Sequence, residues 1–108
     1  MDGALRKEAS TWDALGRVDP LGAIAALPEK KGNRWSLDEF FKVGATRVRA
    51  VADHLGELRV HLGSIYALDF GCGVGRHTQA LAELFDHVVG VDVAPSMLEL
   101  ARQLNSHG

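Results

Sequence analysis

The sequence has a single cysteine, no long apolar run and no large cluster of basic residues. One cysteine excludes an intrachain disulfide and suits a reducing compartment. No stretch approaches the roughly 18 apolar residues of a membrane span. The N-terminal residues MDGALRKEAS also lack the apolar core of a signal peptide. We therefore expect a soluble cytoplasmic protein without a membrane partner.

The charged residues give little sign of a nucleic-acid or metal partner. There are 12 basic and 14 acidic residues, and the net charge is −2. The densest basic group, Lys30, Lys31 and Arg34, is interpreted as a solvated turn, because nucleic-acid binding needs a stronger positive field. His54 and His61 are seven residues apart on one predicted helix, which is too far for one ion. No metal site is predicted.

The length of 108 residues, with 46% hydrophobic and 24% charged residues, is typical of one globular domain. We expect an irregular helical lead over residues 1–35, interrupted at Asp19-Pro20 and at Pro28 because proline disfavours helix at the residue before it. Residues 36–108 are then expected to form a regular α/β unit.

A helix is predicted over residues 36–62. Ser36 and Glu39 form a capping box, in which each side chain satisfies an amide at the helix start. Apolar or small residues then recur at steps of three and four, which places them on one helix face: Phe41, Gly44, Val48, Val51, Leu55, Leu58 and Leu62. Gly63 is a natural end, since glycine takes the left-handed conformation that terminates helices.

Two strand–helix units follow this helix. Short apolar runs predict strands over 65–70 and 87–92, and apolar helical spacing predicts helices over 76–85 and 95–105. Short crossovers make the strands parallel and the connection right-handed. The order therefore predicts the start of a doubly wound, Rossmann-like α/β fold.

The residues that indicate chemistry lie where the two strands end. Gly71, Gly73 and Gly75 follow the first strand and open a helix, where backbone amides can face a polar ligand. Asp92 ends the second strand, 21 residues after Gly71. An acid at about this distance can accept both ribose hydroxyls of a nucleoside. The glycine loop and the acid together indicate a nucleoside-binding site more specifically than either feature does alone.

The glycine pattern is G-x-G-x-G preceded by Asp69, whereas dinucleotide folds use G-x-G-x-x-G. The segments LDFGCGVGR (68–76) and GVDVAPSML (90–98) resemble two consecutive motifs of the class I S-adenosylmethionine-dependent methyltransferases. The resemblance covers residues 65–105. It implies a methyltransferase domain that uses S-adenosyl-L-methionine, with this chain supplying the N-terminal, cofactor-binding segment.

The resemblance also implies the residues that contact the cofactor: Asp69, Gly71, Cys72, Gly73, Gly75, Asp92, Val93 and Met97. The glycines would lie along the methionine portion and Asp69 would hold its amino end. Asp92 would hold the ribose, while Val93 and Met97 would flank the adenine. Cys72 is interpreted as a small residue of the loop and not as a nucleophile, because no histidine is placed by a motif to act as its base.

Three aromatic or titratable side chains are interpreted as structural. His77 is taken as a surface histidine on the first helical turn, although contact with a ligand is the alternative. Trp12 and Trp35 are taken to pack the lead against the sheet, although they could instead line a lid over the cofactor.

The family domain has seven strands and this chain supplies two, so we expect a fragment that is inactive alone. Both strands then keep an unpaired edge, which favours self-association. The methyl acceptor, a small molecule or a macromolecule, and any general base stay unidentified. Two alternatives are left open: a fragment of a nicotinamide-dependent dehydrogenase, and a truncated, non-enzymatic nucleoside-binding or interaction module.

Overall fold

The computed structural model describes residues 2–108. Within that range the chain forms five α-helices, one short 3₁₀ helix and two β-strands. Their bounds are α1 Gly3–Val18, α2 Pro20–Ile24, the 3₁₀ helix Pro28–Lys30, α3 Leu37–Glu57, β1 Tyr66–Phe70, α4 Arg76–Leu81, β2 His87–Val91 and α5 Pro95–Leu104.

The lead begins with α1, a continuous helix of 16 residues that covers the short helix expected from Ala4 to Gly16. Asp2 begins it by accepting a hydrogen bond from the amide of Leu5 at 2.9 Å. The break at Asp19-Pro20 falls where the sequence placed it. There the Asp19 carboxylate accepts from the amides of Gly22 at 3.2 Å and Gly32 at 2.9 Å. Asp19 therefore ends α1, begins α2 and fixes the turn beyond them.

Ser36 caps the start of α3 as predicted, with the Glu39 amide donating to Ser36 Oγ at 3.1 Å, while the Glu39 carboxylate accepts from the Ser36 hydroxyl at 3.2 Å and from Lys30 at 2.9 Å instead of completing the capping box. The helix ends at Glu57, five residues before the predicted end. Arg59 takes the left-handed conformation expected at Gly63, with φ of 59°. The amide of Leu58 donates back to the His54 carbonyl, which closes the last turn. Apolar spacing continues past this point, but the side chains there are exposed.

The two strands are parallel and adjacent, in a register that pairs Tyr66 with His87 and Phe70 with Val91. With α4 crossing between them, they confirm the predicted start of a doubly wound, Rossmann-like α/β fold. Helix α4 ends at Leu81, four residues before its predicted end, and the chain reaches Phe85 through turns. The other predicted bounds of these strands and helices coincide with the observed ones or differ from them by one residue.

The core lies between the helices and one end of the sheet. Its fully buried side chains are Phe40, Val74, Ala94 and Met97. Helix α3 packs on α4, and α1 packs on α5. None of the helices in residues 2–108 is both long enough and apolar enough to span a membrane.

One face of the sheet is apolar and exposed. Tyr66, Leu68 and Phe70 of β1 and Val89 of β2 point to this face, and Phe70 is 86% exposed. Parallel sheets normally bury both faces. No element within residues 2–108 covers this face.

Candidate functional site

A cavity of about 670 Å³ lies at the carboxyl ends of β1 and β2. This is the edge where open α/β sheets bind ligands, and the volume is in the range of small-molecule sites. Its walls come from both ends of the sequence: Leu5, Glu8, Trp12, Ile24, Phe70, Gly71, Cys72, Gly73, Arg76, His77, Val91, Asp92, Val93 and Met97.

The glycine loop is built from left-handed residues. Gly71, Gly73 and Gly75 have φ of 75°, 56° and 91°, a region that side chains with a Cβ seldom enter. The amides of Gly71 and Cys72 both donate to the carbonyl of Val91, at 2.8 and 2.9 Å. These bonds hold the loop to the end of β2. A Cβ at Gly71 would meet no atom within 4 Å, so this part of the loop is open to a ligand.

Asp92 joins the two strand ends through its carboxylate. Oδ2 accepts from the amide of Gly73 at 2.8 Å, and Oδ1 accepts from the amide of Ala94 at 2.9 Å. Each carboxylate oxygen has a second acceptor lone pair. Because Asp92 lines the cavity, those lone pairs can accept a pair of hydroxyl groups from a ligand. The two amides fix the orientation in which they do so.

Six of the eight sequence-predicted contact residues line the cavity: Gly71, Cys72, Gly73, Asp92, Val93 and Met97. Met97 reaches it from the core and is 1% exposed. Asp69 and Gly75 lie outside the walls. Asp69 Oδ2 accepts from the hydroxyl of Thr78 at 2.7 Å, which ties β1 to α4. Gly75 is the residue from which α4 begins.

The lead forms part of the cavity wall. Leu5, Glu8 and Trp12 of α1 line the cavity, which favours the alternative interpretation in which Trp12 lines the site. Asp13 fixes α1 in place: its Oδ1 accepts from the Ser96 amide, and its carbonyl accepts from Ser96 Oγ, both at 2.7 Å. The amide hydrogen bond lowers the pKa of Asp13. Helix α1 is thereby held to the start of α5.

Arg76 and His77 carry the unpartnered polar groups of the site. Among residues 2–108, no hydrogen-bond partner reaches the buried atoms Arg76 Nη1 and His77 Nε2. His77 lines the cavity and is half-buried, so its interpretation as a surface residue was wrong. Burial, followed by the charge of Arg76, lowers the pKa of His77. The imidazole is therefore neutral at pH 7.

Cys72 lies in the loop without the features of a nucleophile. Burial is the main cause that raises the pKa of its thiol, and the carboxylates of Asp69 and Asp92 raise it further. The thiol is therefore protonated at neutral pH, whereas a reactive cysteine is a thiolate. The Cys72 side chain also packs against the backbone at Gly90, where an added Cβ would be 3.0 Å away.

Replacing Cys72 with serine is expected to change the melting temperature and the affinity for S-adenosylhomocysteine only slightly. The position requires a small side chain, and the predicted loss of stability is below about 1 kcal/mol. Thermal unfolding and calorimetric titration measure both quantities. Cys72→Leu is the matched control, and it should destabilise the protein because the space beside Gly90 is filled. A Cys72→Ser protein that binds normally but has no turnover would restore the nucleophile interpretation.

A glycine loop after one parallel strand and an acid after the next is the arrangement typical of nucleoside-binding α/β folds. Residues 67–108 match the family described as methyltransferase domain. This segment is therefore similar to a methyltransferase domain, in agreement with the resemblance of its motifs.

Two curated relatives agree with that assignment. Over 44 residues the chain is 43% identical to the ubiquinone biosynthesis O-methyltransferase of Xylella fastidiosa (strain 9a5c), which covers 41% of this chain and 18% of that protein. Over 61 residues it is 39% identical to the 18S rRNA (guanine-N(7))-methyltransferase bud23 of Schizosaccharomyces pombe (strain 972 / ATCC 24843). This second match covers 52% of this chain and 22% of that protein. The chain thus matches about a fifth of each relative. No solved structure matches it significantly.

Proposed function

We propose that this chain binds S-adenosyl-L-methionine and holds it for methyl transfer to an acceptor. The observation that carries the proposal is the position of Asp92, whose carboxylate lines the cavity while the Gly73 amide holds it at 2.8 Å. This bond places the acid beside the glycine loop. A ligand with a ribose diol and a slender chain next to it fits that arrangement.

Different residues of the cavity are proposed to bind different parts of the donor. Asp92 accepts the two ribose hydroxyls in charge-assisted hydrogen bonds. Val93 and Met97 offer apolar surface for the adenine, and the open backbone at Gly71 admits the chain of the methionine portion. Trp12 of α1 adds aromatic surface to the same cavity.

The bound donor supplies a methyl group that its sulfonium already activates. The protein therefore has mainly to align and dehydrate the reactants. The loop bonds to Val91 and the Asp92 bonds to Gly73 and Ala94 fix the donor side in advance of binding. Whether the reaction needs a general base depends on the acidity of the acceptor.

The acceptor is set outside the matched segment. The names of the two relatives specify different chemistry, an O-methyltransferase of ubiquinone biosynthesis and a guanine-N(7) methyltransferase of 18S rRNA. Each shares a stretch of similar sequence with this chain, over 44 residues in the first and 61 in the second. We therefore propose that residues 67–108 determine the donor and that other parts of the protein select a small-molecule or macromolecular acceptor.

The residue at position 76 argues against the alternative of a nicotinamide-dependent dehydrogenase. In the dinucleotide pattern that begins at Gly71 and Gly73, the third glycine would stand at position 76 and allow close packing of helix on strand. Here that position holds a buried arginine. The close approach is made instead between α4 and α3, where a Cβ at Gly44 would be 3.0 Å from the Arg76 side chain.

Calorimetric titration of the complete protein with S-adenosylhomocysteine and with NADH tests the proposed function. We expect saturable binding of S-adenosylhomocysteine and no heat of binding for NADH. Adenosine serves as the control, and it should bind more weakly because it lacks the methionine portion. Preferential binding of NADH would replace the methyltransferase proposal with the dehydrogenase one.

A further inference from the structure

Arg76 is a buried cation without a counter-ion. The residue is 8% exposed, yet its Nη1 has no hydrogen-bond partner within residues 2–108. The ion pairs of the described chain involve other side chains. Guanidinium groups stay charged in proteins, and a buried charge is normally paired. The arrangement calls for an anion that reaches Arg76 from the cavity it lines.

The packing around Arg76 orients the guanidinium but does not satisfy it. Its Cζ lies 5.0 Å from the centre of the Phe40 ring, a cation–π contact from α3. Gly44, also on α3, leaves room for the stem of the side chain. The nearest charge that acts on it from α3 is the like charge of Arg47. These neighbours hold the planar donor group in place and add to its need for an anion.

The acidic groups near the cavity are engaged elsewhere or lie in solvent. Asp92 accepts from the amides of Gly73 and Ala94, and Asp69 accepts from Thr78. Glu8 lines the cavity from α1 but is exposed. None of the three forms an ion pair with Arg76. No side chain within residues 2–108 therefore supplies the anion.

We propose that Arg76 binds the α-carboxylate of the methionine portion of the donor, an inference that rests on the proposed function. Asp92 marks the ribose end of the cavity, and the Gly73 amide bonded to it marks the start of the glycine loop. Arg76 follows the other end of that loop and lines the same cavity. A carboxylate is the donor's one anionic group, and the planar guanidinium suits its two oxygens.

The test compares two ligands on matched variants of the complete protein by calorimetry. S-adenosylhomocysteine carries the carboxylate, and 5′-methylthioadenosine keeps the nucleoside and thioether but lacks the amino-acid portion. Arg76→Met should weaken S-adenosylhomocysteine at least about tenfold, which is about 1.4 kcal/mol. It should leave 5′-methylthioadenosine unchanged. Arg76→Lys should recover part of the loss, because it restores the charge without the planar fork.

Arg47→Met is the control variant, because it removes a neighbouring positive charge from an exposed position. It should change neither affinity beyond about twofold. A second measurement needs no variant: the unaltered protein should bind S-adenosylhomocysteine at least about tenfold more tightly than its neutral carboxamide. This comparison keeps the proposal testable if Arg76→Met fails to fold.

Three results would overturn the assignment of Arg76. They are unchanged binding of S-adenosylhomocysteine in Arg76→Met, an equal loss for both ligands, and equal affinity of the unaltered protein for acid and carboxamide. If Arg76→Met keeps its affinity for S-adenosylhomocysteine but raises the KM of an anionic acceptor, the anion belongs to the acceptor and the proposal is wrong. If the unaltered protein binds neither nucleoside, the proposed function itself fails.

Discussion

Asp92→Ala is expected to weaken binding of S-adenosylhomocysteine by about 2–3 kcal/mol, or roughly 30- to 150-fold. The alanine removes the charged acceptor for the ribose hydroxyls. It also leaves the amides of Gly73 and Ala94 without the carboxylate that now accepts from them. Calorimetric titration of the complete protein measures the loss.

Two control variants separate these effects. Asp92→Asn keeps one side-chain oxygen and should fall between the wild type and Asp92→Ala. Asp86→Ala removes an exposed aspartate just before β2 and should bind like the wild type. An unchanged dissociation constant for Asp92→Ala would remove the ribose assignment.

Gly73→Val should abolish detectable binding of S-adenosylhomocysteine. Gly73 has φ of 56°, which a β-branched residue adopts only at high cost. A Cβ at this position would lie 2.8 Å from Ile24 Cδ1. Moving the loop to relieve the contact would break the hydrogen bond from Gly73 to Asp92, so one substitution affects both halves of the site. Titration measures binding, and circular dichroism shows whether the fold is kept.

The control for Gly73→Val is Gly63→Val, at a glycine outside the helices and strands where an added Cβ would meet no atom within 4 Å. It should bind like the wild type. Ile24→Ala combined with Gly73→Ala separates space from backbone strain, since it removes the close contact and leaves the left-handed φ. Normal binding by Gly73→Val would show that the loop does not approach the ligand.

The strand ends were predictable because their signals are local. The loop from Gly71 to Gly75 and the acid at Asp92 belong to short, consecutive segments, and the parallel order follows from the brief crossover between the strands. The structure brings the loop and the acid together as this order implies, with the Gly73 amide on Asp92. Their roles toward a cofactor stay predictions.

The wall formed by α1 was not predictable, because its contacts depend on residues far away in sequence. Asp13 and Ser96 are 83 positions apart, and although Ser96 lies in the segment GVDVAPSML, nothing in the sequence around Asp13 marks it as the partner of Ser96. The burial of Arg76 likewise depends on Phe40 and Gly44 of another helix. Helical spacing showed that α3 has an apolar face, but it could not show which residues that face would cover.

The end of α3 shows a further limit of spacing. Leu58 and Leu62 continue the apolar pattern, yet both lie outside the helix and are exposed. Apolar periodicity favours a helix only where another element packs on that face. Beyond Glu57 the described chain offers no such element, so the left-handed residue Arg59 ends the helix earlier.

The pairing of Asp13 with Ser96 has a consequence for synthesis on the ribosome. The amide and hydroxyl that hold α1 are made 83 residues after Asp13. At about 5–20 residues per second, that interval is roughly 4–17 seconds. During this time α1 lacks the start of α5, to which Asp13 binds in the folded chain. The wall that α1 contributes to the cavity is therefore fixed only after α5 has been made.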